Sequence, residues 1–325
     1  MKCKIEVKYL HGIQTVIMET SKIRAVILIG KGADLFEFTY KELEVNCMYR
    51  SDVPMEIYNN LDLKKERLLN HSDRSLGGWS EALPHRGIYK SNILEQENGG
   101  IAATIPWEYN IVKDSDEYVE LKTWVKTPVF PIYIEKTYIL SQDDPYTLKI
   151  SETVTNNGDM DMNFTWTQHA LFGGEFLKGD ITVDVTSDRI FKAWEHMENS
   201  NKKLSEYEDF AYAANMQQGC FDLRKPLPKG CKEYEFMVYN NLNEGKAAIV
   251  NHLFGLSVML KWDLKYFPYM RSLYQHTDKG VIIGLEPSND MFSGWEHSMK
   301  YGTYTRLSPK ETINTGFLLS YDIIL

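Results

Sequence analysis

Apolar and polar residues alternate along most of this chain. Between positions 119 and 126, Val119, Leu121, Thr123 and Val125 fall on one side and Glu120, Lys122, Trp124 and Lys126 on the other, which is the period of a half-buried strand. The same habit recurs in YIEKTYIL, LKISETVTN, ITVDVTS, LSVMLKW, GVIIGLE and TGFLLSYDIIL, and the opening MKCKIEVKYL reads as a first strand. Turn signals separate these segments, among them Asn156-Asn157-Gly158-Asp159 and Gln142-Asp143-Asp144-Pro145. One stretch, Leu204 to Gln217, preceded by polar Asn199 and Ser200 and followed by Gly219, predicts a helix outside the sheets. Many short strands with few helices predict an all-β fold, a large antiparallel sandwich or barrel. No linker, low-complexity tract or repeat divides the chain, so residues 1–325 are expected to form a single domain.

Composition narrows the partners. With 43% apolar and 13% aromatic residues the chain can bury a large core, which excludes intrinsic disorder. Lys and Arg number 36 against 45 Asp and Glu, a formal charge of −9; neither nucleic acid nor an anionic membrane is an expected partner. The longest apolar stretch near the N-terminus, Ala25 to Gly30, is far short of the roughly 18 residues of a membrane span. Cysteines at positions 3, 47, 220 and 231 are too sparse for a disulfide scaffold and have no zinc spacing. A soluble protein in a reduced, cytoplasmic setting is expected.

Gly30-Lys31-Gly32 follows an apolar run, but Leu35 stands where a dinucleotide loop needs its third glycine, so a hairpin turn is expected there. The chain contains no phosphate-loop, HExxH or GxSxG sequence. No two of its eight histidines have the i, i+4 spacing of metal ligands on one helix face. Two histidines keep unusual company: His85 in GGWSEALPHRGIY and His169 in FTWTQHALFGGEFL. Tryptophan and glycine around a histidine suit a sugar pocket, since a pyranose packs its apolar face on an aromatic ring; a core histidine satisfied by backbone is the other reading. Glu286 ends the apolar strand GVIIGLE and precedes Pro287. A carboxylate there must be solvated, paired or functional, and the proline is expected to stop the ladder and aim the side chain into a cleft.

These three segments together resemble the aldose 1-epimerase (galactose mutarotase-like) superfamily, and the resemblance runs over most of the chain. GVIIGLEPSNDMFSGWEHSMKYGTYTRLSPKETINTGFLLSY is similar to the family's apolar strand, Leu-Glu-Pro, polar loop and Leu-x-Pro-x-Glu turn before a last strand. TWTQHALFGGEFL resembles its Trp-x-x-His stretch, and GGWSEALPHRGIY its Gly-Gly-Trp segment leading to an active-site histidine. Ala170 stands where many members have proline, and Tyr274 where a tryptophan is common. The resemblance implies a large antiparallel β supersandwich with a few short helices. It implies His169 as general acid, Glu286 as general base and His85 as a substrate contact near the ring oxygen. Arg86, Trp79 and Trp166 are further expected substrate contacts, with Phe172 beside the tryptophans as a stacking platform. No metal, nucleotide or redox cofactor is called for. The expected partner is a small-molecule sugar, with a homodimer left open. A hexose-6-phosphate epimerase, drawing on Arg86 and Arg271, and a carbohydrate-binding protein without catalysis are the alternatives. A glycoside hydrolase would instead pair Glu81 with Glu286.

Overall fold

The period-two segments form strands that pair by hydrogen bonds in antiparallel ladders. The computed structural model describes residues 2–60, 74–85, 89–90, 95–96, 100–128, 130–193, 209–211, 217–218, 221–222, 224–226, 234–278, 280–291 and 295–324. The longer strands are β1 (Lys4–Leu10), β2 (Ile13–Glu19), β3 (Ile23–Leu28), β4 (Asp34–Tyr40), β5 (Trp79–Ala82), β6 (Glu108–Asp114), β7 (Tyr118–Lys126) and β8 (Ile132–Ser141). They continue with β9 (Thr147–Asn156), β10 (Thr167–Phe172), β11 (Ile181–Ala193), β12 (Tyr234–Asn251), β13 (Leu256–Trp262), β14 (Tyr269–Thr277), β15 (Gly280–Ser288) and β16 (Thr312–Ile323). One short helix, α1 (Trp295–Tyr301), lies between the last two.

Two layers share the long strand β12. Its second half, from Lys246, pairs with β13, and that layer continues through β16, β9, β8 and β7 to β6. Its first half pairs with β14, and the other layer continues through β15, β10, β5, β4, β3 and β2 to β1. The layers face each other across the core. Phe38 of β4 stacks on Tyr321 of β16 at 5.0 Å between centroids, and Trp79 of β5 meets Phe317 of β16 edge-on at 5.5 Å. Each fully buried large apolar side chain of this kind contributes about 1.5–3 kcal/mol. The protein is thus the large antiparallel supersandwich that the alternation and the resemblance predict.

The expected turn at Gly30-Lys31-Gly32 joins β3 to β4. Gly32 has φ +66°, and a Cβ there would sit 2.7 Å from the Ala103 carbonyl oxygen, so the position tolerates only glycine. The expected helix over Leu204 to Gln217 is corrected in part. Asp209–Ala211 is a strand paired with Arg189, Ile190 and Phe191 of β11, and Gln217–Gln218 is a strand as well, while the other residues of that stretch lie outside those described. The far end of β11 offers a ladder partner, and tertiary pairing overrides local helix propensity. Among the described residues no helix is long and apolar enough to cross a membrane.

Candidate active site

Strands β5, β10, β15 and β14 lie side by side, and their register lines up one polar row. His169 of β10 is opposite Ser80 of β5. The ladder from β10 to β15 pairs Thr167 with Ser288 and Ala170 with Leu285, which carried through sets His169 opposite Glu286. Glu286 is in turn the cross-strand partner of Arg271 on β14. Cross-strand partners project from the same face, and alternate positions of these strands (Trp79, Ala170, Leu285, Met270) belong to the core. The row Ser80, His169, Glu286, Arg271 therefore faces away from the core.

Within it, His169 Nε2 lies 3.3 Å from Glu286 Oε1, with 10% of the imidazole and none of the carboxylate exposed. Gly284, two positions before Glu286, leaves room for the carboxylate. A Cβ on it would stand 3.0 Å from Glu286 Oε1 and 3.0 Å from the Leu273 Cβ. The expectation that Pro287 ends the strand is corrected: β15 runs on to Ser288, and Pro287 keeps its partner Met270 in β14. On the β10 side the pairing lapses across Gln168 and His169. Proline has no N–H to donate to a ladder.

A second row continues the site. The Thr167 and Ser288 hydroxyls are 2.8 Å apart, and Ser288 Oγ donates to Asp290 Oδ1 at 2.6 Å. Thr167 Oγ1 donates to the same oxygen at 3.4 Å, and Ser298 of α1 donates to Asp290 Oδ2 at 3.4 Å. Arg271 Nη1 faces that Oδ2 at 3.7 Å, and both side chains are buried. Through α1 the site reaches His85, whose ring meets Trp295 at 4.3 Å and Phe130 at 5.5 Å. The His85 backbone N–H donates to the Thr165 carbonyl at 3.0 Å. Burial pushes the His85 imidazolium down to about 3, so the ring is neutral near pH 7.

His169 and Glu286 are thus brought into contact, and His85 stands at the end of β10 that begins the second row. Arg86 lies outside the described residues. Trp79, Trp166 and Phe172 are corrected. All three belong to the core, because their positions have the opposite parity to His169 on the ladder. The Trp79 indole donates to Gln168 Oε1 at 2.7 Å, and the fully buried Trp166 donates to Glu81. Glu81 is likewise turned into the core, ion-paired with Lys136, so it cannot share a substrate with Glu286. That removes the two-carboxylate hydrolase. Asp290 and its grip on Arg271 escaped sequence reading. The signal available was a charged residue, Arg271, in the strand-like YMRSLY. Among the described residues no cluster of His, Cys, Asp and Glu could hold a metal ion.

A family profile described as "Domain of unknown function (DUF4432)" matches residues 108–320, a span that holds His169, Arg271, Glu286 and Asp290 but not His85. No curated protein matches by sequence. Solved structures do match over nearly the whole chain. One from Klebsiella pneumoniae subsp. pneumoniae, named provisionally as an aldose 1-epimerase, is 14% identical, with TM-score 0.78 over 98% of this chain and 83% of that one. A galactose mutarotase-like protein from Clostridium acetobutylicum is 14% identical, with TM-score 0.70 over 99% of both chains. Another galactose mutarotase-like protein, from Lactobacillus casei, is 18% identical, with TM-score 0.65 over 95% of this chain and 100% of that one. At these identities the likeness establishes the fold. The profile match, covering most of the chain, and the shared architecture lead to one statement: this protein belongs to the family described as Domain of unknown function (DUF4432), and it has the galactose mutarotase-like fold.

Proposed function

We propose that this protein is an aldose 1-epimerase, interconverting the α and β anomers of a free aldose by acid and base catalysis. The observation that carries the reading is the enclosed contact of His169 Nε2 with Glu286 Oε1 at 3.3 Å, on the face turned away from the core. Anomer exchange needs a base for the proton of the anomeric hydroxyl and an acid for the ring oxygen. Both oxygens are bonded to the same carbon, so acid and base must stand side by side, as two cross-strand neighbours do. In the proposed cycle the Glu286 carboxylate takes the hydroxyl proton while the His169 imidazolium gives its proton to the ring oxygen. The C1–O5 bond breaks and the open-chain aldehyde forms. Rotation about C1–C2 followed by the reverse transfers closes the ring on the other face and restores both groups. The ionised glutamate and protonated histidine favour one another in a shared enclosure. The neutral His85 ring is suited to hydrogen bonding rather than to proton donation at pH 7.

Polarimetry on freshly dissolved aldoses, free and phosphorylated sugars side by side, tests the reading. The expected result is faster mutarotation of at least one free aldose. Acceleration confined to phosphorylated sugars would move the assignment to a hexose-phosphate epimerase. Sugar binding without acceleration would contradict the reading in favour of a binding protein.

A further inference from the structure

Glu286 requires more than His169 can supply. Its carboxylate has no exposed surface, and an enclosed charge is tolerated only when opposed by another. In the proposed cycle the His169 proton leaves during each turnover. The cross-strand partner on the other side is Arg271, whose guanidinium is permanently charged and whose side chain is fully buried. Arg271 is itself anchored. Asp290 Oδ2 lies 3.7 Å from its Nη1, and Asp290 is held by the hydroxyls of Ser288, Thr167 and Ser298 from three separate elements. A fully buried cation that faces one carboxylate and neighbours another across the ladder is not offered to a substrate anion. It serves the carboxylates.

We infer that Arg271, held by Asp290, is the positioning residue that orients the Glu286 carboxylate toward His169. Charged or titratable groups near Glu286 include His169 from β10, Arg271 from β14 and Asp290 beyond β15. Tyr269 of β14 faces Asp290, and His85 joins through Trp295 of α1. Of these, Arg271 alone is a positive charge that no accessible pH removes. This inference deepens the epimerase reading, on which its kinetic part rests; its structural part does not.

The experiment compares the full-length wild type with Arg271→Gln and Arg271→Lys. Crystal structures of the three proteins read the placement of the Glu286 carboxylate against His169. In Arg271→Gln the carboxylate should turn from the imidazole, lengthening the 3.3 Å contact to Nε2, and kcat should fall at least about tenfold with KM little changed. Arg271→Lys keeps the charge and loses the planar fork; the contact should persist while kcat falls several-fold. If Arg271→Gln does not fold, the lysine variant carries the test, and a wild-type kcat in it overturns the positioning role. An unmoved carboxylate in Arg271→Gln overturns that role as well, whatever the protein's activity. If the wild type accelerates no aldose yet the carboxylate moves as expected, the epimerase reading fails and the role of Arg271 stands.

Discussion

Gln168 and His169 are neighbours in sequence and project to opposite sides of β10, each into a cluster of buried charges. On the core side, Gln168 Nε2 donates to Glu81 at 3.0 Å and to Glu152 at 3.1 Å, and Glu81 also accepts from the Trp166 indole. Lys136 pairs with Glu81 and lies 3.7 Å from Glu152. Glu81 and Gln168 come from one layer and Lys136 and Glu152 from the other, so this cluster ties the sandwich together. On the outer side, His169, Glu286, Arg271 and Asp290 lie within one layer, and part of the His169 imidazole reaches solvent. Burial of charge is common to both. What separates them is where the partners come from: the interior cluster bridges the layers and suits stability, whereas the outer one keeps part of an imidazole accessible, as the proposed proton transfer requires.

The harshest way to break this contrast is to remove the interior cation. Lys136→Met leaves Glu81 without its counter-charge, and breaking a buried pair of this kind costs about 3–5 kcal/mol. Chemical denaturation should show that loss. The molecules that remain folded should turn over sugar within a few-fold of wild type; a selective loss of turnover would erase the distinction between the two sides.

A next test uses acid. His85 titrates at about 3 in the folded protein against about 6.5 when exposed, because burial disfavours the imidazolium. A lowered value contributes stability that is complete above pH 6.5 and is lost as pH falls from there toward 3. The loss across that window is on the order of 5 kcal/mol. His85→Gln should flatten this part of the curve of unfolding free energy against pH, and an unchanged acid slope would show that His85 is not enclosed as described.

The smallest effect belongs to Glu152. Burial, reinforced by the neighbouring Glu81 carboxylate and opposed by Lys136, raises its titration well above the usual range. A raised value stabilises the fold fully below about pH 4.5, and that contribution is lost as pH climbs through the folded-state titration. Glu152→Gln keeps a hydrogen-bonding group and removes the ionisation. It should therefore gain about 1 kcal/mol near neutral pH, with the gain shrinking as pH falls toward 4.5. A glutamine variant less stable than wild type at pH 8 would mean that the ionised form is the structural one.

The alternation that gives β7 and β8 their buried and half-buried positions is legible directly in YVELKTWVK and IYIEKTYILS, because period two is a property of neighbouring residues. His169 and Glu286 were also legible, as residue types out of keeping with their apolar surroundings. The tryptophans were misread because proximity in sequence was taken for proximity on a face. Trp79 pairs with Ala170 rather than with His169, and one step along a strand reverses the side. Lys136 carried an unread signal of the same kind, sharing the parity of Ile134 and Tyr138 on an inward face. The Arg271 to Glu286 pairing could not be read locally, since it depends on the register of two strands.

The central claim is that the contact between His169 and Glu286 performs proton transfer rather than holding the fold, and Glu286→Gln tests it most directly. The variant keeps the shape of the side chain and loses its basicity. Mutarotation by polarimetry, thermal unfolding and sugar binding by calorimetry are measured on the same preparation. The account predicts a rate lower by about 10²- to 10⁴-fold, with sugar still bound and the unfolding midpoint within a few degrees of wild type. A glutamine variant that epimerises its sugar at the wild-type rate would contradict it.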